Sequence, residues 1–102
     1  MLVRVGQEVQ EVPRRVALPG AELVSAGLAD LERGRESVEA LLVSIGAERL
    51  KSVGIDGPSP LPSPEKRLYG LLAAEHGDAA HSRYNALVRR LVSFERAAER
   101  AT

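Results

Sequence analysis

Hydrophobic positions near the C-terminus keep a helical step. Ala80, Tyr84, Leu87, Leu91, Phe94 and Ala98 recur at intervals of four, three, four, three and four, while Val88 and Val92 broaden the face. The spacing predicts a helix over 79–100 whose apolar side is wide enough to meet two neighbours. Three further stretches share the rhythm. Leu68, Leu71 and Leu72 mark a helix over 64–76, with Ser63 as a natural N-cap, Pro64 at its first position and Gly77 at its end. Val38, Leu41, Leu42 and Ile45, widened by Val43 and Leu50, predict a helix over 36–52 that stops at Gly54. Leu23, Val24, Leu28 and Leu31 predict one over 21–33, with Gly27 inside its apolar face and Gly34 suited to the position just past its end. A break at Gly34 is favoured over one long helix, because charged residues surround it and no apolar face runs through it.

Two segments break the pattern. Leu2, Val5, Val9, Val12 and Val16 recur at three and four, but Gly6, Pro13 and the β-branched valines oppose a helix. Val3/Val5 and Val16/Leu18 alternate as in a strand, so residues 1–18 read as an N-terminal arm of one or two short extended segments. Residues 54–64 contain the turn pair Asp56–Gly57, then Pro58, Pro60, Pro62 and Pro64 at every second position. Each proline disfavours α geometry in the residue before it, which makes this a stiff crossover anchored by Ile55 and Leu61. The fold class expected is all-α: a single four-helix bundle-like domain over residues 1–102 with a short extended or β arm.

Composition sharpens this picture. Hydrophobic residues are 44% of the 102 but aromatics only 3%, so Leu, Val and Ala must build the core. Small side chains bury little area each, and a chain of this length sits where a second copy or a protein partner helps stability. Fourteen basic residues balance fourteen acidic ones, unlike the excess typical of a general nucleic-acid binder. No cysteine is present, which removes disulfides, thiolate nucleophiles and Cys-ligated metals. The opening MLVRVGQEVQEV lacks the apolar stretch of a secretory signal, and no run approaches the ~18 apolar residues of a membrane span. The expectation is a cytoplasmic protein without a membrane role.

Candidate chemistry is sparse. Glu75, His76, Asp78 and His81 surround the turn between the last two predicted helices, and His76, Asp78 and His81 are chemically credible metal ligands. Their spacing matches no metal motif, and capping is the plainer role, with Asp78 starting the last helix. Arg89, Arg96 and Arg100 form one ridge of that helix, and Arg83 and Arg90 another. Arginine rows bind phosphate or carboxylate, although Glu95 and Glu99 interrupt these. Tyr84 and Asn85 add a polar-aromatic pair beside Arg83, and both Tyr84 and Tyr69 read as core rings with hydroxyls at the rim. Glu32, Glu36 and Glu39 read as a solvated face. No phosphate loop, dinucleotide fingerprint or serine nucleophile elbow occurs, and no cofactor is expected.

Three functions follow. The leading one is a non-catalytic helical module for self-association or protein contact, with the wide face of the last helix and the N-terminal arm as contact surfaces and Arg83, Tyr84, Asn85, Arg89, Arg90, Arg96 and Arg100 as candidate binding residues. The alternatives are a nucleic-acid accessory protein using the arginines, and a metal- or histidine-dependent enzyme centred on residues 75–81.

Overall fold

The computed structural model describes residues 18–101. The arm, apart from Leu18, lies outside the described residues. Over those residues the fold is all-α and four-helix bundle-like, with helices α1 Ala21–Glu32, α2 Val38–Ile45, α3 Ala47–Ser52, α4 Pro64–His76 and α5 Ala80–Ala101. A 3-10 turn, Gly77–Ala79, joins α4 to α5.

Local chemistry explains the boundaries. Past the end of α1, Gly34 adopts φ 68°. Its N–H donates to Leu31 O at 3.0 Å, and the Arg35 N–H reaches Asp30 O at 2.8 Å. These paired bonds close the helix on a left-handed glycine. The same geometry ends α3, where Gly54 donates to Lys51 O at 3.0 Å and Ile55 to Leu50 O at 2.9 Å. Ser37 is the N-cap of α2: its hydroxyl accepts from Ala40 N at 3.0 Å and donates to Asp30 Oδ2 at 2.6 Å, joining the end of α1 to the start of α2.

Three expectations need correction. The helix expected over 36–52 is two helices, parted at Gly46. A Cβ there would lie 2.5 Å from Glu95 Oε2 and 3.0 Å from Leu91 Cδ2, so side chains of α5 close over the α2–α3 junction where position 46 has no side chain. Ser63 precedes Pro64 as expected, but it adopts φ 46° and ψ 52° and its side chain makes no capping bond. Asp78 sits inside the 3-10 turn, ahead of the first residue of α5.

Packing follows the predicted faces. Helix α1 packs on α2, α2 on α4 and α4 on α5, while α5 also meets α1 and α2. Leu41, Leu42, Leu50, Leu68 and Phe94 are the largest residues with essentially no solvent exposure. Gly27 brings α1 against α2, because a Cβ at that position would collide with the Glu39 carbonyl and lie 2.7 Å from Val43 Cγ1. The proline crossover is pinned by buried Ser44, whose hydroxyl donates to Ala40 O at 2.8 Å and accepts from Leu61 N at 3.0 Å. Among the described residues, no helix is long and apolar enough to cross a membrane.

Candidate interaction surfaces

The α4–α5 turn sends its two histidines into different surroundings. His76 is half-buried at the end of α4, with Nε2 3.5 Å from Glu75 Oε1. His81 is exposed on α5, with Nε2 3.2 Å from Asn85 Nδ2 one turn later. Among the described residues, no group of three His, Cys, Asp or Glu side chains is placed to hold a metal ion.

His81 belongs instead to an aromatic cluster. The Tyr69 ring on α4 lies 5.7 Å from that of Tyr84, tilted by 52°, and 6.5 Å from the His81 imidazole, tilted by 57°. Tilted rings at these separations lie within the range of favourable aromatic contact. Burial raises the Tyr84 phenol above its ordinary pKa, and the nearby Glu65 charge adds to the effect. Asn85, half-buried, bonds to His81 and limits how that ring turns. Tyr69 corrects the sequence reading of a core ring. It is 40% exposed, the one exposed large hydrophobic among the described residues. Two of the chain's three aromatics therefore meet on one face of the α4–α5 hairpin. The available signal was positional: Tyr69 follows Leu68 directly and falls outside the stripe formed by Leu68, Leu71 and Leu72.

A second feature lies between the start of α2, the end of α4 and the first half of α5. Val38, Leu72 and Leu87 line an open groove of about 390 Å³, bordered by Glu39, His76 and Arg83 among others. Arg90 also lines it but is ion-paired with Glu22 of α1. Among the described residues, no ion pair engages Glu39 or Arg83. Glu39, read from sequence as part of a solvated face, is half-buried here. Its backbone is held by the α1–α2 contact at Gly27.

The five arginines of α5 do not converge on one site. Arg83 and Arg90 line the groove above, while Arg89 lines, with Arg90, an open depression beside Pro19 and Gly20. Arg96 and Arg100 lie near Glu99. Glu99 is clamped by Arg49 of α3, whose Nε and Nη2 donate at 2.6 and 3.0 Å. That hydrogen bond holds the Glu99 carboxyl below its ordinary pKa, helped by the charges of Arg49, Arg96 and Arg100. One turn earlier, Glu95 is only 4% exposed, and no side-chain hydrogen bond among the described residues reaches it. Burial pushes the Glu95 carboxyl above its ordinary pKa, against the opposing pull of Arg49.

No protein-family model, curated protein or solved structure matches the chain.

Proposed function

We propose that this chain is a non-catalytic helical module that binds another protein chain through the α4–α5 hairpin. The observation that carries the reading is the Tyr69 cluster. A chain with three aromatic residues places two of them side by side near the surface, and leaves Tyr69 exposed. Large aromatics that are partly solvated and braced by neighbours are the side chains that most often dominate protein–protein contacts. Tyr84 packs against the Tyr69 ring. His81 flanks it, and Asn85 bonds to His81, so the surface is held ready with little side-chain entropy left to lose.

The test is site-specific photocrosslinking in cells. A photoreactive phenylalanine analogue at position 69 is expected to give one discrete adduct of higher mass. The same analogue at exposed Glu48 on α3 is expected to give none. Equal, diffuse labelling from both positions, or no adduct from position 69, would refute the reading.

A further inference from the structure

We propose that the groove between α2, α4 and α5 is a self-complementary interface for a second copy of this chain. The proposal extends the interaction-module reading but uses a different surface. The crosslink at position 69 and the experiment below can therefore fail separately.

The groove combines an apolar floor with unspent charge of both signs. Val38, Leu72 and Leu87 supply the floor. Glu39 from the first turn of α2 and Arg83 from the first turns of α5 border it. Of the other charged residues lining it, Arg90 is committed to Glu22, and Glu75 projects into solvent with its carboxyl 3.5 Å from His76. Glu39 and Arg83 line the same groove, yet neither has an ion-pair partner among the described residues. A single anionic or cationic partner would satisfy one of them and repel the other. A second copy related by a two-fold axis satisfies both, because Glu39 of each copy meets Arg83 of the other. The apolar floors then cover one another, and like charges stay apart. The chain's equal count of acidic and basic residues lets two copies approach without net repulsion.

This geometry makes a distinctive prediction for charge reversal. Arg83→Glu alone puts acids at both positions 39 and 83 of each copy, and Glu39→Arg alone puts bases at both, so each variant repels itself where these positions meet. Mixed together, the two variants are fully complementary, since both basic positions of one copy face both acidic positions of the other. A folding defect cannot imitate that result.

The experiment is sedimentation velocity on the intact chain across a concentration series at low salt. It covers the unaltered chain, each single variant, their equimolar mixture, and the Arg83→Glu/Glu39→Arg double variant. Circular dichroism checks that every variant is helical. The unaltered chain is expected to associate reversibly, each single variant about tenfold or more weakly. The mixture and the double variant should recover association to within about threefold of the unaltered chain. Monomeric behaviour of the unaltered chain throughout the series, which would leave the groove to some other occupant, overturns the proposal. So does a mixture no more associated than its separate components.

Discussion

Replacing Gly27 with alanine adds one methyl group where two helices touch. The new Cβ would lie 2.7 Å from Val43 Cγ1 and 2.9 Å from the Glu39 carbonyl carbon, with the carbonyl oxygen closer still. Backbone cannot rotate aside, so α1 and α2 must separate or shift along their shared face. Inserting a methyl into a packed contact costs about 1–3 kcal/mol, and a backbone obstacle puts this site at the upper end. Alanine regains about 1 kcal/mol of helix propensity over glycine. The expected net loss is about 2 kcal/mol, a fall in melting temperature of roughly 8–16 °C for a domain of this size. Gly70 in the middle of α4 is the matched control. It is exposed, and a Cβ there meets nothing within 4 Å. Gly70→Ala should therefore gain the propensity without the collision and raise stability by about 1 kcal/mol. Urea unfolding followed by circular dichroism measures both. If Gly27→Ala matched or exceeded the unaltered chain, the close α1–α2 contact would be wrong.

Other substitutions probe separate parts of the structure. Glu95 has a folded-state pKa above its ordinary value, so its contribution favours the fold below the unfolded pKa and is lost as pH rises through the folded one. Glu95→Gln should be more stable than the unaltered chain at pH 7, and the difference should shrink in thermal melts as pH falls into the acidic range; a variant less stable at pH 7 would contradict the burial argument. Ser63→Gly removes a left-handed conformation from a residue with a Cβ and should stabilise by about 1 kcal/mol in urea unfolding; a loss would show that the Ser63 hydroxyl is needed. Ser44→Ala strips the hydroxyl that holds the Leu61 amide and should cost about 1–3 kcal/mol. Amide exchange at Leu61 should rise with it, and unchanged exchange would mean the crossover is anchored elsewhere.

The helices were legible because leucine and valine recur at three and four, and their ends because glycine suits a left-handed residue after a helix. Gly34 and Gly54 fill that role through paired backbone bonds. The break at Gly46 was not legible. Glu95 and Leu91, far along the chain on α5, close over that backbone, and a pattern local to residues 36–52 does not contain this contact. Ser63 illustrates the same limit. A serine before Pro64 has the composition of a cap, but the crossover's path decides its dihedral angles. The candidate surfaces were legible only in part. Arg83, Tyr84 and Asn85 were identifiable as a polar-aromatic group on one helix. Placing Tyr84 beside Tyr69, or Arg83 and Glu39 on the rim of one groove, depends on which helices lie side by side, and a periodicity within one helix does not contain that information.

The most direct test of the account is the native mass of the chain released gently from its own cells. If the chain works by binding another protein surface, light scattering should find a discrete species well above 11.0 kDa. Tyr69→Ser, with its helical circular dichroism intact, should shift that species towards smaller mass. A wild-type chain found only as a lone 11.0 kDa particle, unchanged by that substitution, would contradict the account.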